Sequence, residues 1–346
     1  MKVLHVNNVA NVPDALVKGL REIGIDAHLY QPFVGKGGPM NRANGPINGA
    51  TTTGIGINKQ GGFGKLSVIA NRIADAKTLA NQVNRERYDI VHIHYGYFGV
   101  LGILGGYHYW LHCHGTDLRQ NLYHPLYKKV TTLSLSKATQ VLYSTPDLKK
   151  HVEKARHDAA FLPNPIHTQI FKPTNYTGPA GKILLVSRMD KVKGIDIAFR
   201  ALEKLKKRNP EVQIDAFAWG PEFERLKNKD FVNFIPRIPH EKVSELVSNY
   251  QIVVGQFEIG AIGMSEMEAM ACARPVVCYF EYQDWYAEAP PLVLAKTDDE
   301  IVDKIEYLLA NPHQCEEIGI ASRDWIVKYH DYISVAKRLA KMYSKS

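Results

Sequence analysis

The chain has 346 residues, of which 45% are hydrophobic and 23% are charged. That length favours two domains, and the apolar fraction is ordinary for a soluble globular protein that buries a core in each. The formal net charge of +8 suits anionic partners. The basic residues are spread along the chain, and no nucleic-acid-binding motif is present, so a nucleic-acid partner is not expected.

The hydropathy of the chain argues against a membrane span. The most apolar stretch, 98–111, is shorter than the roughly 18 residues that a span requires, and glycines interrupt it. The first residues lack the apolar core of a signal peptide, so we expect the chain in the cytoplasm. The four cysteines form no CxxC pair, and we expect them to be reduced thiols.

The first half alternates short β-type runs with helical patterns, which is typical of a parallel sheet covered by helices. Leu16 and Leu20 repeat at helical spacing in a predicted helix over 14–23, and a second helix is predicted over 66–84. Residues 34–63, rich in Gly, Asn and Thr, predict a mobile loop that serves a binding site. The predicted strands of this half are 2–6, 26–30, 89–94, 109–112, 140–143 and 159–162.

The second half begins a new α/β series. Residues 171–181 contain prolines and glycines without an apolar period and predict an interdomain linker. Residues 321–343 predict a final amphipathic helix. Two doubly wound domains in tandem would place their ligand crevices at the carboxyl ends of the strands. The predicted strands of this half are 182–187, 213–218, 232–235, 252–254, 275–279 and 292–294.

The first candidate site is the basic turn 187–194, which follows a predicted buried strand. Arg188 and Lys193 would project from the carboxyl end of that strand. Arginine can bind a diphosphate through two parallel hydrogen bonds, and lysine adds a point charge. The alternative is an ordinary solvated basic turn.

The second candidate is the glycine-rich start of a predicted helix near Met264. Gly260 and Gly263 free the backbone there, and open amides at a helix N-terminus form an anion site. Glu268 lies one turn into the helix, where its carboxylate can accept hydrogen bonds from ribose hydroxyls. The alternative is an ordinary helix start with an acid in its first turn.

Two further candidates lie at strand ends. His114 and Asp117 follow the strand 109–112, where His114 can bond a sugar hydroxyl and Asp117 can contact a substrate or cap the next helix. Gly220 and Glu222 belong to a turn that would let a nucleoside base approach the backbone. A plain β–α turn is the alternative for the second pair.

Several histidines suggest a metal site at first sight: His92, His94, His108, His112 and His114. They alternate along strands without a cysteine or acidic partner at ligand spacing, so no metal site is expected. The chain also lacks a P-loop, and no GxGxxG follows its first strand, which disfavours a dinucleotide-dependent oxidoreductase.

In order and spacing, these motifs resemble glycosyltransferase family 4, a group of mostly retaining enzymes with the GT-B fold. The resemblance covers essentially the whole chain. It rests on 187–194, 220–222, 263–275, 114–117 and 162–173. It implies an acceptor-side Rossmann-like domain over 1–173, with the loop 34–63 beside the acceptor. It also implies a nucleotide-sugar domain over 174–325 and a helix over 326–346 that returns to the first domain. The two domains would face a central cleft.

The resemblance also implies roles for single residues. Arg188 and Lys193 would neutralise the donor diphosphate, and His114 would face the transferred sugar. Gly263 and Met264 would offer backbone to the phosphates. Gly220, Glu222, Gly260 and Glu268 would complete the donor site, with Glu268 on the nucleotide ribose.

Two positions depart from the family pattern. The family usually has a second glutamate eight residues before the position of Glu268, but Gly260 stands there. Glu258 is a candidate to replace it beside the donor sugar. The family's Gly-Gly turn after the first strand is also absent, and Asn11 in that turn is a candidate on the acceptor side, together with Asp117.

The resulting prediction is a metal-independent hexosyltransferase that moves a sugar from a UDP- or GDP-sugar to a glycan or a lipid-linked acceptor, with retention. Such an enzyme would work in polysaccharide or glycolipid biosynthesis without a cofactor, in peripheral contact with the inner face of the membrane. Two alternatives remain open. One is a non-catalytic nucleotide-sugar-binding protein, and the other is a GT-B sugar-nucleotide epimerase.

Overall fold

The computed structural model describes residues 1–32, 64–125, 127–173 and 181–345, without the side chains of 64–71. The predicted loop 34–63 lies outside the described residues, as does most of the predicted linker 171–181. The chain separates into two compact units. The first comprises Met1–Pro165 with Tyr332–Ser346, and the second comprises Ile166–Asp331.

The first unit contains a parallel six-stranded sheet in the order β2-β1-β3-β4-β5-β6. Its strands are β1 (Lys2–Val6), β2 (Asp26–Tyr30), β3 (Ile90–His94), β4 (Trp110–Cys113), β5 (Gln140–Tyr143) and β6 (Ala160–Phe161). Its helices are α1 (Val12–Glu22), α2 (Gly64–Glu86), α3 (Val100–Gly105), α4 (Lys128–Lys137) and α5 (Lys149–Val152), and the last helix of the chain joins them.

The second unit contains another parallel six-stranded sheet, in the order β12-β11-β10-β7-β8-β9. Its strands are β7 (Lys182–Leu185), β8 (Gln213–Phe217), β9 (Asn233–Ile235), β10 (Ile252–Val254), β11 (Val276–Cys278) and β12 (Val293–Leu294). Its helices are α6 (Ile195–Arg208), α7 (Phe223–Leu226), α8 (Val243–Val247), α9 (Met264–Ala271), α10 (Asp298–Ala310) and α11 (Pro312–His330). The two parallel sheets confirm the predicted doubly wound α/β class.

Apolar residues fill both faces of the second sheet. Along β7, Ile183 and Leu185 belong to the core on one face, and Leu184 belongs to the core on the other. Successive side chains of a strand point to opposite faces, so a strand covered on both sides needs a continuous apolar run. That requirement explains why the sequence 182–185 is recognisable as a buried strand.

The prediction of a single helix over 321–343 is wrong in one respect, because this stretch belongs to two helices. Helix α11 ends at His330, Asp331 is extended with φ −55° and ψ 133°, and α12 (Tyr332–Tyr343) follows. The Ile166 amide donates to the His330 carbonyl at 2.7 Å, and the Thr168 hydroxyl donates to the Asp331 carboxylate at 2.5 Å. These contacts hold the extended residue at the point where the chain leaves the second unit.

The unit boundaries differ from the predicted 173/174 and 325/326. The segment after Pro165 belongs to the second unit because Ile166 and Phe171 are buried in its core. Helix α12 packs closely on α1 in the first unit, where a Cβ added at Gly19 would lie 2.8 Å from the Cβ of Ala336. All four cysteines are buried and free. No helix in the described part of the chain has the length and apolarity to cross a membrane.

Candidate functional site

The turn after β7 carries the first predicted phosphate ligand. The guanidinium of Arg188 pairs with the carboxylate of Asp190, and its Nε is buried without a partner among the described residues. The other carboxylate oxygen of Asp190 accepts from the Val192 amide at 3.2 Å and so caps the short turn that follows. Asp190 therefore holds Arg188 at the carboxyl end of the strand and leaves part of its guanidinium unused.

The Trp219–Glu222 strap packs directly on this turn. Gly220 has a left-handed φ of 127°, and a Cβ at that position would lie 2.3 Å from the Met189 carbonyl oxygen. The Glu222 amide donates to the same carbonyl at 3.0 Å, and its carboxylate accepts from Arg225 at 2.7 Å. Gly220 and Glu222 thus position the backbone beside Arg188, and the Glu222 carboxylate is already paired.

A third loop follows β10, leads into α9 and contacts Lys193 of the basic turn. The Phe257 amide donates to the Lys193 carbonyl at 2.9 Å. Gly263 immediately precedes Met264, the first residue of α9, and a Cβ at Gly263 would lie 3.5 Å from the Lys193 ammonium. An ammonium beside open helix amides provides two kinds of group that bind phosphate oxygens.

The structure adds Glu266, which is not among the candidates predicted from the sequence. Its carboxylate is buried, and one oxygen has no partner within the described ranges. Gly255 and Gly263 make room for it: a Cβ at Gly255 would lie 2.7 Å from its Cγ, and one at Gly263 would lie 2.5 Å from its Oε2. Glutamate at the third residue of a helix is a known N-terminal signal and was the available clue.

The predicted ribose ligand, Glu268, is engaged by another side chain. It is 3% exposed, and its carboxylate lies 2.7 Å from the Nε2 of His240. His240 lies on the segment between β9 and α8, 28 residues away in sequence, so no local pattern indicated the pair. A ribose hydroxyl would have to share this carboxylate with the imidazole.

The glycine at the family's first glutamate position has a structural cause. Gly260 has a left-handed φ of 70°, and a Cβ there would lie 2.9 Å from the Cγ of Glu281. Glu281 and Glu258 both line a cavity of about 460 Å³, together with Tyr279 and Lys296. Two carboxylates therefore line this cavity, and Glu281 occupies the space that a side chain at residue 260 would enter.

In the first unit, three residues in the left-handed region replace the family's Gly-Gly turn. Asn7, Ala10 and Asn11 have φ values of 73°, 51° and 60°. Asparagine tolerates this region better than most residues do. The Asn11 amide oxygen lies 3.5 Å from the Nδ2 of Asn8. The turn after β1 therefore keeps a tight conformation without glycine.

His114 and Asp117 form one compact turn after β4. The Asp117 side chain is fully buried, and its carboxylate accepts from the amides of Gly96, His114, Gly115 and Leu118 at 2.7–3.1 Å. It thus joins the turn after β4 to the segment after β3, which favours the capping alternative for this residue. Burial lowers the pKa of His114 to about 4, against the opposing effect of Asp117, so the ring is neutral near pH 7.

The predicted site residues divide between the two units. The structure assembles the basic turn, the strap and the start of α9 at one edge of the second sheet. That edge holds Arg188, Lys193, Gly220, Glu222, Glu258, Gly260, Gly263, Met264 and Glu268. The carboxyl edge of the first sheet holds Asn11, His114 and Asp117.

Two protein-family models match the chain in consecutive segments. Residues 9–170 match the model described as Glycosyltransferase Family 4, and residues 167–325 match the model described as Glycosyl transferases group 1. The boundary between the matches falls where the chain passes into the second unit. Both models describe sugar transferases.

A curated relative and two solved structures are similar to the chain. A GDP-mannose-dependent alpha-(1-6)-phosphatidylinositol monomannoside mannosyltransferase of Mycolicibacterium smegmatis is 24% identical over 207 residues, which cover 53% of this chain and 53% of the relative. The match thus spans about half of that relative's length. A sucrose-phosphate synthase from Thermosynechococcus elongatus is 16% identical with a TM-score of 0.74, covering 100% of this chain and 99% of the other. Anabaena HepE, solved with UDP and glucose, is 14% identical with a TM-score of 0.68 and full coverage of both chains, 100% each.

Proposed function

We propose that this chain, which belongs to the family 4 and group 1 glycosyltransferases, moves a hexose from a nucleotide-sugar donor to an acceptor hydroxyl in glycan or glycolipid biosynthesis. One observation carries the proposal: in the second unit, the basic turn and the Lys193 ammonium meet the open N-terminus of α9. The three loops involved come from the carboxyl ends of β7, β8 and β10. A nucleoside diphosphate matches this arrangement in charge and in hydrogen bonding.

The proposed chemistry is stabilisation of the leaving group. Breaking the anomeric C–O bond leaves negative charge on the nucleoside diphosphate. The Arg188 guanidinium, the Lys193 ammonium and the first amides of α9 would stabilise that charge. Fixed donors of this kind contribute about 10²–10³ in rate each. No metal or cofactor is needed in this proposal, because the chain itself supplies the cations.

We further propose that the acceptor hydroxyl attacks from the face that the leaving diphosphate vacates, so that its proton passes to a donor phosphate oxygen. The new glycosidic bond then keeps the anomeric configuration of the donor. His114 is proposed to bond the transferred sugar in its neutral form, since burial holds the pKa of the ring at about 4. Glu258 or Glu281 supplies the carboxylate beside that sugar.

The proposed donors are UDP- and GDP-hexoses. The mannosyltransferase relative is named for GDP-mannose, and the HepE structure contains UDP and glucose. The relative's name also includes a phosphatidylinositol acceptor. We therefore propose a glycan or lipid-linked acceptor, with the chain in the cytoplasm at the inner face of the membrane.

A basic aromatic surface on the first unit supports peripheral membrane contact. We define it by Tyr123, Tyr127, Lys128, Lys129 and Lys154, all of which are exposed. Aromatic rings settle at a membrane interface, and each lysine near an anionic surface contributes about 1 kcal/mol. The Lys154 ammonium lies 5.4 Å from the centre of the Tyr123 ring, which joins the two parts of the surface.

The activity test is a donor panel in which release of nucleoside diphosphate is measured with and without acceptor lipid extracts and glycans. A transferase needs the acceptor for rapid release, whereas an epimerase interconverts the donor and a binding protein turns over neither. The Arg188→Ala and Lys193→Ala variants should lose about 10²–10³ in kcat. Lys191→Ala, an exposed lysine of the same turn, is the matched control. Unchanged turnover in Arg188→Ala would refute the proposed role of the turn.

Membrane contact is tested by flotation with vesicles. Binding to vesicles of phosphatidylglycerol and phosphatidylcholine should exceed binding to phosphatidylcholine alone and should fall with added salt. Lys128→Gln with Lys129→Gln should weaken it. Lys227→Gln with Lys304→Gln, exposed positions of the second unit, is the matched control. Equal losses in the two double variants would refute the assignment of this surface.

A further inference from the structure

Five histidines gather on one face of the first sheet. His5 lies on β1, His92 and His94 on β3, and His112 at the third position of β4, with His114 directly after that strand. Alternate residues of a strand share a face. The register pairs His5 with His92 and His94 with His112, so the rings also become neighbours across strands.

Four of these rings and Tyr343 of α12 form a hydrogen-bonded chain. The Nε2 of His114 lies 2.9 Å from the Nδ1 of His94, and the Nε2 of His94 lies 2.8 Å from the Nδ1 of His5. The Nε2 of His5 then lies 3.5 Å from the Tyr343 hydroxyl. That hydroxyl also bonds the Nδ1 of His92. The chain runs from the partly exposed His114 into the core of the first unit.

The rings of this chain are neutral near pH 7. Burial lowers the pKa of His5 to about 3 and the pKa of His114 to about 4, and it lowers those of His92 and His94 well below the usual value. Among the described charged groups, the Asp117 carboxylate is the one that acts on His114, in the opposite direction. A neutral imidazole has one N–H and one bare nitrogen, so each ring can donate at one nitrogen and accept at the other.

A shared metal ion does not suit this stack. Ring nitrogens of His5, His92 and His94 lie within 4.8 Å of one another, as do those of His94, His112 and His114. However, the rings of His92 and His94 are stacked at 4.5 Å with an interplanar angle of 3°. Their lone pairs lie in nearly parallel planes and do not converge on one point. In the second group, His94 and His114 already contact each other nitrogen to nitrogen.

We propose that His5, His94 and Tyr343 are positioning residues that fix His114 in a single neutral tautomer and aim its Nδ1 at the transferred sugar as a donor. Each ring-to-ring link joins an Nε2 to an Nδ1. Neutral rings joined in this way must all carry the proton on the same type of nitrogen. The direction of one hydrogen bond therefore fixes the direction of all the others. The role given to His114 here rests on the proposed sugar transfer.

The buried end of the chain sets the direction. The Nε2 of His92 has no partner among the described residues. If the protons pointed inward, that nitrogen would carry a buried N–H without an acceptor, which native proteins rarely tolerate. If the protons point outward, the Nε2 of His92 carries only a lone pair and needs no acceptor. Each member of the chain then donates to the next one toward His114, in the order His92, Tyr343, His5 and His94. The outer Nδ1 of His114 then carries the proton.

The test combines side-chain ¹⁵N NMR with kinetics on Tyr343→Phe, which keeps the ring beside Trp110 and removes the hydroxyl. In the wild type, His5, His94 and His114 should all show the Nδ1–H tautomer and stay neutral at pH 6. In the variant, His114 should show an averaged tautomer, and kcat should fall roughly two- to tenfold with the donor KM unchanged. The averaging follows because the Tyr343 hydroxyl is the link through which His92 sets the direction of the other hydrogen bonds.

Tyr107→Phe is the matched control, because it removes a buried hydroxyl of the same unit that has no partner among the described residues. It should leave the His114 spectrum and kcat unchanged. Different tautomers in adjacent rings, an unchanged His114 tautomer in Tyr343→Phe, or stoichiometric zinc or copper in the purified protein would overturn the proposal. The NMR spectra report the histidine tautomers even if no donor is turned over. Failure of this proposal can therefore be distinguished from failure of the proposed function.

Discussion

Acid should unfold the first unit at a mild pH because of its buried histidines. The pKa of His5 is about 3 and that of His114 about 4 in the folded protein, below the ordinary value of 6.5. Burial also lowers the pKa of His92, His94 and His112 well below that value. Below pH 6.5 the unfolded chain therefore binds protons that the folded chain excludes, and the free energy of unfolding falls as the pH falls.

Each proton that the folded chain excludes lowers the free energy of unfolding by about 1.4 kcal/mol per pH unit. For the five rings together, the slope of the free energy of unfolding against pH approaches about 7 kcal/mol per unit. A domain is typically stable by only about 5–15 kcal/mol. We therefore expect the first unit to lose its fold between roughly pH 6 and pH 5. The window for His5 extends from 6.5 down to its folded pKa of about 3. Urea unfolding monitored by circular dichroism between pH 8 and pH 5 measures the slope.

His112→Leu isolates one of these rings. Neither nitrogen of His112 has a partner among the described residues, so leucine removes a titrating group without breaking a hydrogen bond. The slope of stability against pH should fall by about 1.4 kcal/mol per unit, and the variant should be the more stable protein at pH 5.5. His108→Leu, at an exposed position, should leave the slope unchanged. A wild-type stability that is constant from pH 8 to pH 5, or equal slopes in both variants, would refute the reasoning.

Three further predictions concern backbone geometry and buried charge. Gly220→Ala should lower the free energy of unfolding by about 2–4 kcal/mol in thermal unfolding, because its Cβ would lie 2.3 Å from the neighbouring backbone. The control Gly24→Ala, with a φ of 80° and open space, should lower it by about 1 kcal/mol. Equal losses in the two variants would contradict the clash. Asp117→Asn should lower the free energy of unfolding by about 2–4 kcal/mol, because an amide group cannot accept every backbone hydrogen bond that the carboxylate accepts. The control Asp158→Asn, at an exposed ion pair, should lower it by less than about 1 kcal/mol. Similar melting temperatures in the two variants would contradict this prediction. Gly260→Glu should lower stability by about 1–2 kcal/mol and should not raise turnover, because residue 260 is left-handed and faces Glu281; a more active enzyme would show that this account is wrong.

The sequence predicted the sheets well because buried parallel strands carry a local signal. The runs 140–143 and 252–254 are apolar over their whole length or nearly so, and the structure places β5 and β10 at those bounds. A strand that is covered on both faces needs such a run, whatever its neighbours in the fold. The strand order depends on distant segments and could be expected only from the general rules for α/β folds.

The break at Asp331 shows where local information ends. Residues 321–343 have a helical pattern throughout, and proline and glycine are absent from that stretch. The extended residue is held by Ile166 and Thr168, which are distant in sequence. Tertiary hydrogen bonds thus outweigh a helix propensity of a few tenths of a kcal/mol per residue.

The candidate site divides in the same way. The positions of Arg188 and Lys193 after a strand followed from the sequence, because the carboxyl ends of parallel strands gather the loops that bind ligands. The pairing of Glu268 with His240 did not, since 28 residues separate them and two different loops carry them. Loop-to-loop contacts leave no periodic trace in a sequence.

The histidine face is the part of the fold that packing explains least. Spacing alone showed that His92 shares a face with His94 and that His112 shares one with His114, but only the strand register makes all of them neighbours. Apolar residues would fill that face at less cost, because a buried polar atom without a partner typically costs about 1–3 kcal/mol. Sequences usually sacrifice stability of this kind where a site requires it. The chain of rings ends at His114, the one member that is partly exposed, and this direction is what a positioning role for the buried rings requires.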